Sequence, residues 1–414
     1  MADPRAPSSA IPQHPELAPA NVLLIMIDSL RGEMPWTGYP RDVVPRIDAF
    51  RREHCVTYAK AYSLSSYTAK SVAPALRGEY PSAMLRDGYF FTRYPDDANE
   101  FIQEMAQKRG LRTLASHAHG YFSPTFGLNQ GFADYRLLKH GVDLAAVHSI
   151  TSAPLTELAI EQLSDRGNVA QDAGKRFFAY VHYMDPHHTY EPHPEFSFGV
   201  RTARDLYDGE VRFTDHWVGK LLDFVQEQAW WRDTTVIITA DHGESFGERG
   251  HYRHGFELWE SVVRVPLLVC HPGLRPRVIS SVRRSHIDLA PTIASMLRVS
   301  PSRPFRGKSL VSELLGDEPP SARRILVDQP RSDLMDRRRA LIDGRYKLIS
   351  FGDDRRFRLY DLDSSPWEAA DITDDAPEVL ERMKSAFAEE WRQVPEVEVL
   401  PGPPLKNAPF GRRW

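Results

Sequence analysis

The sequence predicts an α/β protein: a large, mostly parallel sheet sandwiched by helices, followed by a smaller C-terminal subdomain built on an antiparallel sheet. Three observations lead there. The apolar runs 21–27, 176–181 and 235–240 have strand length and no polar alternation, as expected of strands buried on both faces of a parallel sheet. Helical patterns separate these runs, giving the alternation that places helices over both faces. Beyond residue 322 the pattern changes to short strands parted by Asp-Gly and Gly-Asp-Asp turn signals. At 414 residues the chain exceeds what one hydrophobic core usually supports, which fits a main unit with a satellite.

Residues 1–19 are rich in Pro, Ala and Ser and read as a disordered lead-in. They lack a basic segment followed by an apolar one, and no stretch of 18 apolar residues occurs anywhere. A cytoplasmic protein without a membrane span is therefore expected. The first strand, Asn21 to Ile27, ends in Asp28-Ser29 and is followed by a loop to Val44 and a short helix at Pro45 to Phe50. A strand at Val56 to Ala59 leads through Ser63 to Thr68 into a helix that runs to Leu76 and stops at Gly78. A helix at 97–109 precedes a strand at Leu111 to Ala115, which runs into Ser116-His117-Ala118-His119. A long helix at 203–228 feeds the strand at 235–240. A helix at 285–297 and a polar linker at 318–324 close the main unit, placed at 20–321. The subdomain at 322–400 then has strands at 324–327, 339–342, 346–349 and 358–360. Its helix, 376–392, has Asp374 or Asp375 as its N-cap region, and 401–414 is a tail.

Formal net charge is −4, which gives no electrostatic reason to expect nucleic acid or an anionic membrane as partner. The two cysteines, Cys55 and Cys270, read as small buried hydrophobes rather than as a disulfide, because no dense secreted framework surrounds them. An anionic substrate must then be held by local groups.

The densest chemistry lies at Asp241 to Phe256, DHGESFGERGHYRHGF, directly behind the buried strand 235–240. Alone, an Asp-His pair after a strand is as easily a turn or a cap as a ligand pair. Two further buried strands decide the matter: one ends in Asp28, the other runs into His182-Tyr-Met-Asp185-Pro-His187-His188. Open α/β sheets bind ligands outside the carboxyl ends of their strands, so these groups converge where a divalent metal would sit.

These residues resemble the sulfatase branch of the alkaline phosphatase superfamily over roughly 20–395. The first strand with Asp28, Arg77-Gly-Glu-Tyr-Pro81, 177–187, Thr239-Ala-Asp-His-Gly-Glu244, Arg264-Val-Pro-Leu-Leu268, His286 to Thr292 and Tyr346 to Ile349 with Leu359-Tyr-Asp-Leu362 resemble family landmarks in the right order. The family's spacing back from Gly78 lands on Thr68, where sulfatases carry a Cys or Ser that becomes formylglycine within a motif that includes Pro and Arg. Threonine cannot be converted, so the resemblance implies a Thr68 alkoxide nucleophile and favours phosphorus over sulfur. A sulfothreonine lacks the exit that a formylglycine hydrate has, whereas a phosphothreonine is open to activated water.

The resemblance implies one divalent metal on Asp28, Asp241, His242 and Thr68. The imidazole tilts the choice toward Mn²⁺ or Zn²⁺, while such carboxylate-rich sets also accept Mg²⁺ or Ca²⁺. Ser29 stands where many sulfatases have another aspartate, which disfavours Ca²⁺. His187 and His254 are expected to reach the substrate oxygens, His117 and His119 to take the place of a family lysine and histidine, and Lys70 to supply charge lost with the missing arginine. His182, His188, His251 and Glu244 are read as supporting or loop residues. A second metal on Asp185, His187 and His254 is the disfavoured alternative. The expected function is metal-dependent hydrolysis of a small anionic phosphodiester or phosphonate monoester through Thr68. Sulfate ester hydrolysis, transfer of the phosphoryl or sulfuryl group to an alcohol, and a non-catalytic relative are the competing readings. Oligomeric state is left open. Aromatic residues at 121–130 and 189–203 suit an aryl leaving group and core packing equally.

Overall fold

The computed structural model describes Leu17 and residues 20–89, 92–96, 98–138, 150–169 and 176–400. The tail 401–414 and all of the expected disordered lead-in except Leu17 lie outside these residues. Leu17 itself is buried in the main core.

The strands of the large sheet are β1 (Asn21–Ile27), β2 (Cys55–Tyr62), β3 (Arg112–His117), β4 (Asp134–Leu137), β5 (Phe177–Tyr183), β6 (Thr234–Ala240), β9 (Arg264–Cys270), β10 (Arg277–Ile279) and β11 (Arg284–Ser285). They lie in the order β10-β2-β9-β6-β1-β5-β3-β4, with β11 also beside β2. All pairings are parallel except those of β9 with β2 and β6. The short hairpin β7 (Ser245–Phe246) and β8 (Tyr252–Arg253) lies between β6 and β9 in sequence.

Alternation within β1 explains its unbroken apolar run. Leu24 and Met26 enter one core, Leu23, Ile25 and Ile27 the other. The first core takes helices α2 (Thr68–Arg77), α3 (Ile102–Lys108) and α7 (Leu289–Leu297). The second takes α1 (Pro45–His54), α4 (Ser152–Ser164) and α5 (Ala203–Glu227), so the sheet is covered on both sides as the sequence predicts. The long helix α5 starts with a Thr202 capping box, and its buried stripe includes Val211, Val218, Leu222 and Val225.

After the one-turn helices α6 (Glu260–Val263) and α8 (Val311–Leu315), strands β12 (Ile325–Gln329), β13 (Arg338–Asp343), β14 (Tyr346–Phe351) and β15 (Arg356–Asp361) form an antiparallel sheet in chain order. One face packs on Tyr62, Leu258, Val262 and Val263 of the main unit, the other on α9 (Pro377–Trp391). Two boundaries differ from expectation. Helix α9 is capped by Ala376 rather than Asp374 or Asp375, with Pro377 fixing its first turn. The segment from Ser285 begins as β11 and a 3₁₀ turn, because the Ser285 hydroxyl accepts from Ile287 N–H; the α-helix starts at Leu289.

The reading of the cysteines as separate buried thiols is corrected by the structure. Cys55 and Cys270 face each other in the antiparallel β2–β9 ladder and form a disulfide between positions 215 residues apart in sequence. Among the described residues no helix is long and apolar enough to cross a membrane.

Candidate active site

Register builds the site. Ile27 of β1 is level with Tyr183 of β5 and Ala240 of β6, so the residues that follow these three adjacent strands emerge side by side at their carboxyl ends. Asp28 and Asp241 thereby become neighbours, joined by Ser29: its N–H donates to Asp241 Oδ1 at 3.2 Å and its hydroxyl to Asp28 Oδ1 at 3.0 Å. Gly243 is required next, since a Cβ there would lie 2.2 Å from the Ser261 carbonyl oxygen. That close approach turns the chain so that His242 faces Asp28.

The His242 tautomer follows from its partner. Nδ1 lies 2.8 Å from the Gly243 carbonyl oxygen, which only accepts, so Nδ1 carries the hydrogen and Nε2 presents its lone pair inward. Nε2 is 3.6 Å from Asp28 Oδ1 and 3.5 Å from Asp241 Oδ2. Thr68, the first residue of α2, brings Oγ1 to 3.2 Å from His242 Nε2 and 3.4 Å from Asp28 Oδ2. The N-cap position belongs to Tyr67, so the Thr68 hydroxyl is directed into the cluster instead of onto its own helix.

One ligand atom from each of Asp28, Asp241 and His242 lies within 4.8 Å of the others, and all three residues are fully buried. Asp241 Oδ2 has no hydrogen-bond partner. Burial and the field of Asp28 push the Asp241 carboxyl up. Burial acts the same way on Asp28, but the hydrogen bond from His182 and the fields of His187 and His242 hold it well below the ordinary range. Two buried carboxylates and an imidazole lone pair, with one oxygen unsatisfied, fit a divalent cation.

The remaining histidines divide into two groups. His119, His187 and His254 gather at the partly exposed mouth, with ring centres 5.8 Å apart for His119 and His187 and 4.9 Å for His187 and His254. His254 also lies 4.2 Å from His242, ring to ring. His119 Nδ1 accepts from Tyr121 N–H, so its Nε2 carries the hydrogen, and burial lowers it to about 3, leaving a neutral donor. His187 Nδ1 donates to the His188 carbonyl oxygen at 2.7 Å. His254 Nδ1 faces Glu244 Oε1 at 3.1 Å; burial lowers the imidazole and raises the carboxyl.

The structure does not bring His117 and Lys70 to this cluster. His117 is stacked on Phe122 at 4.1 Å, with Tyr135 and Tyr180 at its edges, because its side chain leaves β3 on the aromatic core side. Lys70 lies over the Tyr67 ring, and its charged neighbours are Arg86, Asp333, Asp328 and Asp87. Burial first, then Arg86, lowers its ammonium to about 7. Asp185, His187 and His254 do not gather as a ligand group among the described residues. Both Asp185 oxygens are taken by the start of α4, through Thr151 N–H at 2.7 Å, the Thr151 hydroxyl and Ser152 N–H at 2.8 Å. His188 and His251 stay outside the cluster: His188 meets Arg253 at 3.3 Å, and burial lowers both imidazoles.

Two residues carry more than the sequence reading gave them. His182 Nε2 lies 3.3 Å from Asp28 Oδ2, while the Tyr180 hydroxyl donates to its Nδ1 at 2.6 Å, a relay that fixes the Asp28 carboxylate. Its signal was the two-residue alternation of β5, which puts Tyr180 and His182 on one face. Glu244 holds His254 and accepts from the Tyr190 hydroxyl at 3.0 Å. The aromatic residues of 121–130 settle largely as packing, since Tyr121, Phe122 and Phe126 all join the main core.

Residues 20–299 match the family described as Sulfatase, and residues 247–393 match N-sulphoglucosamine sulphohydrolase, C-terminal. The chain belongs to the sulfatase family, whose members hydrolyse ester bonds. Choline-sulfatase of Rhizobium meliloti is 28% identical over 181 residues, 42% of this chain and 34% of that protein. The chain spans about a third to a half of the length of the first curated relatives it matches. Among solved structures, the phosphonate monoester hydrolase of Agrobacterium radiobacter superposes with a TM-score of 0.74 at 18% identity, covering 91% of this chain and 96% of that one. A 2-O GAG sulfatase superposes with a TM-score of 0.75 at 14% identity, covering 93% and 95%. Both share the fold.

Proposed function

We propose that this chain is a metal-dependent hydrolase of phosphodiesters or phosphonate monoesters that works through a covalent Thr68 intermediate. The observation that carries the reading is the Thr68 hydroxyl, within 3.4 Å of two cation ligands, in a protein whose two cysteines are both tied in the β2–β9 disulfide. Neither cysteine is free to become formylglycine, and neither lies on α2.

Asp28, Asp241 and His242 hold the cation, which when bound lowers the pKa of a coordinated hydroxyl and neutralises oxyanion charge. Thr68 Oγ1 gives its proton to solvent, while His254, held by Glu244 and lying beside His242, faces the substrate oxygens. Thr68 Oγ1 attacks phosphorus, the Oγ1–P bond forms, and the bond to the leaving oxygen breaks. The leaving oxygen departs with the electron pair and takes a proton from solvent. Water then reverses the sequence: it gives a proton to solvent, its oxygen attacks phosphorus, and Thr68 leaves and recovers its hydrogen. His119 Nε2–H and His187 orient the phosphoryl oxygens.

Sulfate ester hydrolysis is the second reading, favoured by the family match and by the likeness to a choline-sulfatase. An aryl ester panel of phosphate monoester, phosphodiester, phosphonate monoester and sulfate, run on Mn²⁺-loaded protein, separates the two. The expected result is the highest kcat/KM on the phosphodiester or phosphonate, with the substituted phosphoryl or phosphonyl group trapped on Thr68 by rapid quench. Preference for the sulfate ester, or full activity of Thr68→Ala, overturns the proposal.

A further inference from the structure

Helix α2 begins at Thr68 and ends at Arg77, about 13 Å away along its axis at 1.5 Å per residue. Its far end opens on a separate cavity of about 320 Å³ that borders Arg77, Arg303 and Arg306 together with Glu79, Glu100 and Ser302. Gly78 caps the helix between Arg77 and Glu79. It turns the chain with φ +68°, and a Cβ there would lie 2.6 Å from Phe305.

The charges in this cavity are unevenly partnered. Glu79 is engaged by Arg306 at 3.2 Å and by Tyr80 N–H at 3.0 Å. Glu100 is engaged by Lys108 at 2.8 Å and by Ser302 N–H at 2.7 Å. Arg77 is different: it is 7% exposed, its guanidinium makes no ion pair among the described residues, and its Nη1 is buried without a hydrogen-bond partner. Its place in the last turn of α2 suits a cation at the negative end of the helix, but that leaves the donor unsatisfied. A buried guanidinium group without an acceptor is costly, and its fork matches two oxygens of a tetrahedral or planar anion. Arg303, exposed and lining the same cavity, makes no ion pair either among the described residues, so a second guanidinium without a carboxylate partner borders it.

We propose that this cavity is a second anion site, distinct from the Asp28–Asp241 cluster, which takes a small oxyanion or the phosphate or sulfate group of a small ester, with Arg77 as its buried anchor and Arg303 as its outer clamp. The volume exceeds that of a bare tetrahedral anion, so an organic substituent fits beside the charged head. Because α2 carries both Arg77 and Thr68, an occupant would sit at one end of the helix that presents the nucleophile at the other.

The test is calorimetric titration of the full, Mn²⁺-loaded chain with inorganic phosphate and, separately, with inorganic sulfate. Two classes of site are expected. The class at the cation cluster is lost in Asp241→Asn. The other persists in that variant and is weakened roughly ten- to hundred-fold in Arg77→Met, the loss expected when a charge-assisted donor is removed. Arg303→Met weakens the same class and, being an exposed substitution, leaves the fold intact. It therefore decides the question should Arg77→Met fail to fold. Phosphate binding without sulfate binding assigns the site to phosphate groups, and the reverse to sulfate groups. A single class of site for both anions, or a second class unchanged in Arg303→Met and in folded Arg77→Met, overturns the inference.

Discussion

Two fully buried clusters, each built on a pair of carboxylates, serve opposite ends in this molecule. Beneath the C-terminal sheet, Lys347 Nζ lies 2.9 Å from both Glu260 and Glu368, the Tyr62 hydroxyl donates to Glu260 at 3.0 Å, and Glu260 N–H donates to Glu368 at 2.7 Å. That cluster contains its own cation, and the neighbouring carboxylates raise the Lys347 ammonium against the effect of burial. At the ends of β1 and β6, Asp28 and Asp241 are as deeply buried, but among the described residues they meet no Lys or Arg, only imidazoles, backbone N–H groups and the Ser29 and Thr68 hydroxyls. A cluster complete within the chain joins two packing units; one left incomplete calls for a cation from outside. Burial alone therefore does not mark a site, while an unbalanced sum of buried charge does.

The largest effect that would test this contrast is Thr68→Ala. Turnover on the best ester should fall by on the order of 10⁴-fold, while chemical denaturation shifts by less than about 1 kcal/mol. A comparable loss of stability would move Thr68 to the structural side. Lys347→Met should do the reverse, lowering unfolding free energy by about 3–5 kcal/mol because two carboxylates lose their cation, with kcat of the folded fraction retained. Next comes the cation itself. Mn²⁺ at about 100 times its Kd should stabilise the wild-type chain by about 2.7 kcal/mol and leave Asp241→Asn unmoved. Without metal, Asp241→Asn should melt at or above the wild-type temperature, since one of two like buried charges is gone; a lower melting point would contradict that repulsion.

The smallest effect concerns a third buried carboxyl. Asp215 accepts from Arg46 and Ile47 N–H at the start of α1, and burial raises it to about 7 despite those bonds. Between about pH 4 and 7 the native chain keeps a proton that the unfolded chain has lost. Asp215 thus favours the native state most below pH 4, and that contribution fades as pH rises through 7, by at most about 1.4 kcal/mol per pH unit. Asp215→Asn should flatten this slope in denaturation curves taken across that window; an unchanged slope rules the assignment out.

Much of the site was legible because it depends on local pattern. An apolar run that stops at Asp28 or Asp241 marks the carboxyl end of a buried strand, and three such runs identify the sheet edge where ligands meet. Thr68 was found by counting back from Gly78, whose turn the structure confirms with φ +68°. What failed was direction and distance. His117 ends its strand much as Asp28 follows β1, yet the face of β3 on which it stands sends it into Phe122. Lys70 shares a helical turn with Thr68 but leaves α2 toward Arg86 and Asp328. Asp185 lies in a ligand-like segment, and only the fold shows it holding the start of α4, 34 residues earlier in sequence. The Cys55–Cys270 pair depends on an antiparallel register that no local pattern encodes.

The placement of Asp28 and Asp241 has one more consequence. They lie 213 residues apart in sequence and meet only because β1 and β6 are hydrogen-bonded neighbours at the centre of the sheet. A cation held by both is a cross-link between the first strand and the sixth, available only to chains in which that pairing is already in register. Retention of the ion through purification would then work as proofreading: it would sort correctly threaded molecules from those that carry every ligand but have not brought them together.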